Sequence, residues 1–399
     1  MTATSAHAAH QVAFVWDDDM LAYDFGPNHP LAPVRVELTA ALIRSCGLVG
    51  VGPGSGSSYE VRPEEFDGDR LRRVHREEYI AMVRALSKEP DRGGGAMFGL
   101  GPGDTPAFRG MHDAASRVCA ATVEAARQVW AGSAVHAFNP AGGLHHAMPG
   151  HAAGFCVYND PAVAIDWLLD HGAERICYVD VDVHHGDGVE RMFWDDPRVL
   201  TISLHESGKF LFPGTGAVTD IGGAQAPASA VNAPLLPGTS GKLWLEVFDA
   251  VIDPIVRASG ADILVTQLGC DTHALDPLAH LAVTVDDMAA MYERLHGLAH
   301  EVCDGRWLAT GGGGYRLVDV VPRAWTLAFA EMTNAPPPVD TPMAWRELVV
   351  DKLGATPPRS FTDDPPPQTD EMRVATRRGA EQTIDALRDL VFRRHGVRR

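Results

Sequence analysis

The chain has 399 residues, of which 45% are hydrophobic and 22% charged, and its formal net charge at pH 7 is −18. This composition excludes a disordered chain and supports a large buried core. The negative net charge opposes binding to phosphate backbones, so nucleic acid is not an expected partner. The commonest role of such a charge is solubility, and attraction of cationic ligands is the alternative.

Apolar runs bounded by Gly, Pro or Asp alternate with helical stretches, which is the pattern of parallel strands joined by crossover helices in an α/β fold. In chain order, the predicted strands are 12–16, 134–138, 175–182, 199–204, 262–268 and 306–310. Helical periodicity predicts helices over 112–131, 160–171, 240–259 and 286–304. Asp160-Pro161 predicts a helix cap followed by a first-turn proline.

The C-terminal region begins with a proline-rich segment, 335–368, that we expect to wrap the surface. A final helix is predicted over 370–394, and its stripe of Ile384, Leu387, Leu390 and Val391 would dock on the rest of the chain. We predict a single domain over 1–399, with a catalytic core of about 12–330 and an extension over 335–399 that packs on it. The proline-rich stretch would also fit a linker.

No segment indicates a membrane span or an export signal. The N-terminus lacks a basic flank before a long apolar stretch, and nowhere do roughly 18 apolar residues run together. The six cysteines are scattered without a CxxC pair, as is usual for reduced cysteines of cytosolic proteins. We therefore expect a cytoplasmic protein that does not associate with membranes.

Polar clusters follow four of the predicted strands. In an open parallel sheet, ligands bind beyond the carboxyl ends of the strands, so these clusters predict a functional site. They read NPAGGLHHAMPGHAAGFCVYND (139–160), YVDVDVHHGDG (178–188), LGCDTHALDP (268–277) and TGGGGY (310–315).

The second cluster has the composition of a metal site. Strand alternation sends Asp180, Asp182 and His184 to one side, where two buried carboxylates and an imidazole need a cation. Asp182 and His184 would bind it together with Asp271 from another strand end, leaving a coordination position for water as in catalytic zinc sites. The two oxygens and one nitrogen would also suit ferrous iron. An Asp-x-Asp-x-His segment on its own is as often a salt-bridge or capping cluster as it is a metal site.

Several segments together resemble the zinc-dependent histone deacetylase superfamily, in the order and spacing found there. They are GGLHHA (142–147), GFCVYND (154–160), YVDVDVHHGDG (178–188), FPGTG (212–216), LGCDTHALDP (268–277) and GGGGY (311–315). The resemblance covers roughly 12–330, and the C-terminal region is similar to the bacterial acetoin-utilisation, or AcuC-like, branch. It implies an arginase-like three-layer α/β fold with a central, mostly parallel eight-stranded sheet flanked by helices.

The resemblance also implies the catalytic residues. It makes Asp182, His184 and Asp271 the zinc ligands. His145 and His146 match the tandem catalytic histidines, supported by Asp180 and Asp187 respectively. Tyr315 matches the tyrosine that polarises the substrate carbonyl.

Further positions match the substrate path and a second ion. Phe155 and Phe212 match the aromatic walls of the acyl-lysine tunnel, with Gly154 beside them, and Asp104 matches the rim aspartate in a loop carrying one additional residue. Arg35 matches the arginine of the channel through which acetate leaves. A monovalent cation, potassium, is implied at Asp180, Ser203 and the main-chain carbonyls of Asp182, His184 and Leu204.

The residue types suit amide hydrolysis. Zinc lowers the pKa of bound water toward about 7 and polarises a carbonyl, and a tyrosine hydroxyl can stabilise the resulting oxyanion. His146 is our choice of general base and acid, with His145 as an electrostatic partner, but the residues leave this division of labour open.

Three functions are compatible with these residues. The first is a zinc-dependent deacetylase acting on Nε-acetyl-lysine of cytoplasmic proteins, with acetate as product. The second is the same chemistry on an acetylated small amine or biosynthetic intermediate; Leu278 stands where polyamine-specific relatives carry a glutamate, which disfavours polyamines. The third is a non-catalytic acyl-lysine binding module, against which the intact Tyr315 argues. The oligomeric state is not indicated.

Overall fold

The computed structural model describes residues 11–50, 58–64 and 66–398. Residues 1–10, on which the expectation about an export signal partly rests, lie outside the described residues. Within the described ranges, no helix is both long enough and apolar enough to cross a membrane.

The described strands form one sheet in which every neighbouring pair is parallel. They are β1 (Val12–Val15), β2 (Ser58–Val61), β3 (His136–Asn139), β4 (Ile176–Asp180), β5 (Val199–Glu206), β6 (Ala230–Leu235), β7 (Ile263–Gln267) and β8 (Trp307–Thr310). Their order is β2-β1-β3-β8-β7-β4-β5-β6. The predicted α/β fold with a central eight-stranded sheet is confirmed.

Helices join and cover these strands. They are α1 (Val34–Ser45), α2 (Leu71–Val74), α3 (Glu77–Lys88), α4 (Met111–Trp130), α5 (Asp160–Asp170), α6 (Asp187–Phe193), α7 (Gly241–Val247), α8 (Asp253–Ser259), α9 (Val285–Val302), α10 (Val321–Met332), α11 (Met343–Leu353) and α12 (Asp370–Leu387). The central strands are buried along their whole length, because a parallel sheet with crossover helices is covered on both faces.

All six strands predicted from the sequence are present, with ends shifted by at most two residues. The two strands that were not predicted, β2 and β6, lie at the two edges of the sheet. An edge strand pairs on one side only, so it tolerates polar residues and proline: β2 reads SYEV, and β6 contains Pro234. Neither segment therefore has the continuous apolar run of a central strand.

The predicted cap of α5 was wrong by one residue. Asn159, not Asp160, caps the helix: its side chain accepts a hydrogen bond from the Ala162 amide over 3.0 Å, and Pro161 follows in the first turn. The predicted helix 240–259 is also not a continuous α-helix, because a π-helical turn over Phe248–Ile252 separates α7 from α8.

The C-terminal extension lies against the rest of the chain. Its proline-rich part contains a helix that was not predicted, α11, whose Trp345 donates from Nε1 to the Leu38 carbonyl of α1 over 2.9 Å. The final helix packs beside edge strand β6 with Leu387 buried, and Val391 is buried in the π-helical turn that follows it over Arg388–Phe392. The final helix therefore covers an edge of the sheet that would otherwise expose unpaired backbone groups.

The four polar clusters follow four adjacent strands. β3, β8, β7 and β4 are consecutive in the middle of the sheet, and their carboxyl ends share one edge because all pairs are parallel. Residues from distant parts of the sequence are therefore brought to one place.

Candidate active site

Three side chains with metal-binding atoms converge where β4 and β7 end. Asp182 and His184 follow β4, and Asp271 follows β7, its neighbour in the sheet. The Nδ1 atom of His184 lies 3.1 Å from Asp182 Oδ1 and 3.1 Å from Asp271 Oδ2. All three side chains are buried, and one such atom from each lies within 4.8 Å of the others.

The outward-facing carboxylate oxygens are held by hydrogen bonds. Gln267 Nε2 and the Gly313 amide each donate to Asp182 Oδ2 over 2.7 Å, and Asp271 Oδ1 accepts from a backbone amide over 2.9 Å. The atoms that face one another are Asp182 Oδ1, Asp271 Oδ2 and His184 Nδ1. Two oxygens and one imidazole nitrogen in a buried setting fit a divalent cation such as zinc or ferrous iron.

The electrostatics of the cluster indicate the same need for positive charge. Burial, together with the neighbouring charge of Asp182, raises the pKa of Asp271 to about 7. Burial alone would lower the pKa of His184, but hydrogen bonds and charges from the two aspartates outweigh it and raise that pKa to about 10. A proton on His184 thus balances the carboxylates. A divalent cation meets the same need with a neutral imidazole.

The tandem histidines lie beside this cluster on the loop after β3. His145 Nδ1 is 2.8 Å from Asp180 Oδ2, and His146 Nδ1 is 2.7 Å from Asp187 Oδ1. The two Nε2 atoms lie 3.0 Å apart. Each ring is therefore oriented by its own buried carboxylate, which fixes its Nδ1 as the protonated nitrogen and turns its Nε2 toward the other ring.

The two histidines differ in their tendency to carry charge. For His145, burial opposes protonation, but the charges of Asp180 and Asp182 outweigh it and raise its pKa to about 9. For His146, burial and the positive charge of His145 lower the pKa to about 4. At neutral pH, this arrangement favours a charged His145 beside a neutral His146.

The glycine run 311–314 brings the backbone close to the ligand cluster. A Cβ on Gly313 would lie 1.9 Å from Asp271 Oδ2, so no other residue fits there. Arg35, buried on α1, holds this run by donating from Nη1 to the carbonyls of Gly312 over 2.7 Å and Gly314 over 3.2 Å. Burial lowers the pKa of the Arg35 guanidinium, which also lies 5.1 Å from the Trp325 ring centre.

A narrow cavity borders the cluster, and its lining includes His146, Gly154, Phe155, His184 and Tyr315. The ring centres of Phe155 and Tyr315 lie 5.7 Å apart in an edge-to-face arrangement. Burial raises the pKa of the Tyr315 phenol well above its usual value, so the hydroxyl stays protonated and available as a donor.

Phe212 lies on another loop and contacts His146, one of the residues that line this cavity. Its ring lies 4.9 Å from the His146 ring, and its side chain is 42% exposed. A Cβ on Gly154 would lie 2.4 Å from His146 Cδ2 and 2.9 Å from Phe212 Cε1. Gly154 therefore keeps open a slot that any side chain would fill.

Asp104 lies on an exposed loop next to the Phe155 wall. Its carbonyl is 3.0 Å from His29 Nε2, and the neighbouring Thr105 hydroxyl accepts from the Phe155 amide over 3.2 Å. Asp104 itself is exposed.

Leu278 is linked to Tyr315 through one carboxylate. The Leu278 amide donates to Asp276 Oδ1 over 3.0 Å, and Asp276 Oδ2 accepts from the Tyr315 amide over 2.8 Å. Leu278 is partly buried and offers no charge at this position.

Asp180 and Ser203 lie opposite each other on β4 and β5. Leu204 is the next residue of β5. Further along β5, the Glu206 amide donates to the Val183 carbonyl over 2.8 Å, and this bond holds the segment from Asp182 to His184 beside β5. The residues expected to bind potassium are therefore neighbours.

Sequence reasoning missed the residues that support the histidine loop. Asp160 accepts from the amides of Gly143 over 3.0 Å and Leu144 over 2.8 Å, and Asn159 Nδ2 donates to the His145 carbonyl over 3.0 Å. These two residues close the GFCVYND segment, so their polarity at a buried helix start was the available signal.

Gln267 was missed as well. It ends β7, is fully buried, and links Asp182 to the histidine loop by donating to the Gly143 carbonyl over 3.2 Å. An amide at the end of an otherwise apolar strand was the signal, because a buried amide needs partners.

Comparison with protein families identifies a histone deacetylase domain over residues 29–332. Among curated relatives, the chain is 36% identical over 382 residues to the acetoin utilization protein AcuC of Bacillus subtilis, covering 94% of this chain and 97% of the relative. It is 33% identical over 353 residues to AcuC of Staphylococcus xylosus, covering 88% and 90% of the two chains.

Among solved structures, the chain is similar to a histone deacetylase homologue in complex with SAHA. The TM-score is 0.81 and the sequence identity 26%, and the match covers 94% of this chain and 99% of the other. The similarity therefore extends over both the sheet and the C-terminal extension.

Proposed function

The chain belongs to the histone deacetylase family and to its AcuC-like branch, and we propose that this deacetylase hydrolyses the amide of Nε-acetyl-lysine in cytoplasmic proteins and releases acetate. The observation that supports the proposal most is the shared cavity. His146, His184, Phe155 and Tyr315 all line one narrow passage, so a nucleophile, a base and an oxyanion donor can act on one bond.

A divalent cation would be held by Asp182, His184 and Asp271, and we propose zinc, with ferrous iron as the alternative. When bound, such an ion lowers the pKa of a water molecule and polarises an amide carbonyl. The chain itself prepares the site: Gln267 and the Gly313 amide orient Asp182 by their hydrogen bonds, so the ligand oxygens do not reorganise when the ion binds.

His146 is the proposed general base and acid. Its Nδ1–H is engaged by Asp187, so the lone pair that can accept a proton from the attacking water is on Nε2. The same atom can then return the proton to the leaving lysine amine. His145, held by Asp180, would act as an electrostatic or hydrogen-bonding partner for the negative charge that develops as the tetrahedral intermediate forms.

Tyr315 is the proposed oxyanion donor. Its hydroxyl would donate to the carbonyl oxygen as negative charge accumulates there. Asp276 anchors its backbone amide over 2.8 Å, and Arg35 holds the preceding glycine run, so the phenol is positioned before substrate binds. A positioned donor of this type contributes without reorganisation at the moment of reaction.

The aromatic slot would select the acylated side chain. Phe155 and Phe212 would bury the lysine methylenes, with Gly154 leaving room beside Phe155, whereas a charged ammonium would lose its hydration without gaining a partner. Asp104 is the proposed rim contact to the substrate backbone. Arg35 is proposed to guide acetate from the site, and Asp180 and Ser203 to hold potassium.

We favour a protein substrate over an acetylated small molecule because aromatic side chains near the cavity are exposed to solvent. Phe212 is 42% exposed, and the neighbouring Phe210 is 56% exposed. Apolar side chains left in solvent at a rim suit contact with a polypeptide surface.

The test is a substrate panel with zinc-reconstituted protein. We expect the kcat/KM for acetyl-lysine peptides to exceed that for acetylated free amines and acetylpolyamines by at least about tenfold, since the peptide gains rim contacts. Chelation should abolish turnover, and zinc or ferrous iron should restore it. A higher kcat/KM for a free acetylated amine would redirect the proposal to a small substrate. Binding of acetyl-lysine without turnover would overturn it.

A further inference from the structure

A second histidine cluster lies near the amino end of β3, whereas the candidate active site lies at the carboxyl ends of the strands. His136 is the first residue of β3, and His296 and His300 lie one turn apart on α9. One ring nitrogen from each of the three lies within 4.8 Å of the others. We propose that this cluster is a second metal site, which binds one divalent first-row transition-metal ion apart from the catalytic centre.

The ring of His296 is oriented for this role. Its Nδ1 lies 2.7 Å from the Glu331 carboxylate of α10, so Nδ1 carries the proton and Nε2 presents its lone pair to the cluster. A carboxylate on the far nitrogen is the usual support of a metal-binding histidine, because it fixes the tautomer and raises the basicity of the ligand atom.

The spacing of the nitrogens fits a shared ion. His296 Nε2 and His300 Nε2 lie 3.1 Å apart. Two imidazole nitrogens bound at about 2.05 Å with about 100° between the bonds are also about 3.1 Å apart. A hydrogen bond between the two rings would explain this distance alone. The third nitrogen comes from His136 on a different element and lies within 4.8 Å of the other two, so one ion can draw all three together.

The surroundings both enclose the site and give access to it. His136 and His296 are buried, and Trp307 packs on both rings, with centre distances of 5.6 Å and 5.9 Å. His300 is exposed and provides the entry path. Three neutral imidazoles without a thiolate suit Zn²⁺, Co²⁺, Ni²⁺ or Cu²⁺ and do not suit Mg²⁺ or Ca²⁺, which prefer oxygen.

Such an ion would add a link between β3 and α9 to the hydrogen bond that already joins α9 to α10. It would connect β3 to α9 directly and to α10 through Glu331. Because it binds the folded chain, the ion stabilises that state, and at about 100 times Kd it would raise the Tm of a chain of this size by about 3 °C.

The experiment counts metal ions on the full-length, tag-free protein. Chelator-stripped wild type, His300→Gln and the control His171→Gln, which alters an exposed histidine on another surface, are incubated with CoCl₂ and gel-filtered. Bound cobalt per chain is then measured by mass spectrometry. We expect His300→Gln to retain one equivalent fewer than wild type and to lose the Tm increase, while His171→Gln matches wild type.

The difference of one equivalent is independent of catalysis, so the result stands whether or not the proposed deacetylase function is correct. Glu331→Gln is a second variant that leaves the three rings in place, and it should raise the Kd of this site by about 10–100-fold. Equal cobalt content in wild type and His300→Gln, or unchanged affinity in Glu331→Gln, would overturn the proposal.

Discussion

The Nε2 atoms of His145 and His146 lie 3.0 Å apart, while their Nδ1 atoms bind two different carboxylates. The rings are therefore chemically distinct although they are adjacent in sequence. Both rings line the cavity, but His146 faces Phe212, whereas His145 Nε2 lies 4.0 Å from Asp182 Oδ1. This asymmetry predicts unequal roles.

Replacing each histidine by glutamine tests the asymmetry. His146→Gln should lower kcat by about 10²–10⁴-fold because it removes the proposed proton acceptor, and His145→Gln should cost less because it removes only an electrostatic partner. The measurement is kcat on an acetyl-lysine peptide, with zinc content and Tm as controls for folding. A larger loss in His145→Gln would reverse the assignment.

Tyr315→Phe should lower kcat by about 10²–10³-fold with a small change in KM, since the lost hydroxyl acts mainly on the oxyanion. The backbone contact from the Tyr315 amide to Asp276 does not involve the hydroxyl, so the loop should keep its conformation. Steady-state kinetics on the same peptide provide the measurement, and unchanged kcat would remove Tyr315 from the mechanism.

Leu278→Glu should shift substrate preference toward acetylpolyamines. A carboxylate at this position, linked to Tyr315 through Asp276, would attract a cationic substrate backbone, and about 1.4 kcal/mol of such attraction corresponds to a tenfold change. The ratio of kcat/KM for acetylspermidine to that for the acetyl-lysine peptide should therefore rise by about tenfold. Leu278→Gln, which adds no charge, is the matched control and should leave the ratio unchanged.

Buried His75 predicts a loss of stability in mild acid. Its Nδ1 lies 3.0 Å from the Met148 carbonyl, its Nε2 accepts from the Asn159 amide over 3.1 Å, and burial lowers its pKa from 6.5 to about 4. Between these values the unfolded chain binds a proton that the folded chain does not. The free energy of unfolding should thus fall by about 3 kcal/mol from this group as pH decreases from 7 to 4.

Urea unfolding at several pH values measures this effect. The wild type should show the decline, and His75→Gln, although less stable at pH 7, should show a shallower one. His151→Gln, at an exposed position, is the control and should follow wild type. Identical pH profiles for wild type and His75→Gln would contradict the prediction.

Asp363 attaches the proline-rich segment to the core. It pairs with buried Arg323 over 2.9 Å and with His273 over 2.9 Å, and although burial opposes ionisation, these partners lower its pKa to about 2. Asp363→Asn should cost roughly 2–3 kcal/mol of unfolding free energy, because Arg323 loses its counter-charge in a buried site.

Urea denaturation at pH 7 and limited proteolysis of the 335–368 segment would measure that loss. Asp364→Asn changes the exposed neighbouring carboxylate and is the matched control. Equal stability of the two variants would indicate that the pair contributes little.

The sequence alone predicted the central strands and the polar clusters that follow them, because both depend on local patterns, whereas the roles of individual side chains were implied by the family resemblance. A short continuous apolar run predicts a buried parallel strand. The polar clusters that follow such runs could likewise be identified from the sequence. The edge strands β2 and β6 were not readable, since an edge position removes the requirement for that pattern. The cap of α5 was misassigned because Asn159 and Asp160 both suit a helix start, and only the fold sends the Asp160 carboxylate back to the histidine loop.

Only the tertiary structure decided which of these residues meet. Asp182 and Asp271 lie together because β4 and β7 are adjacent in the sheet, and strand order is a long-range property that no local pattern encodes. The same holds for Gln267, which reaches Asp182, and for His136, which meets the two histidines of α9. The sequence sets which side chains are present, but the distances between them are set only when the strands and helices pack into one core.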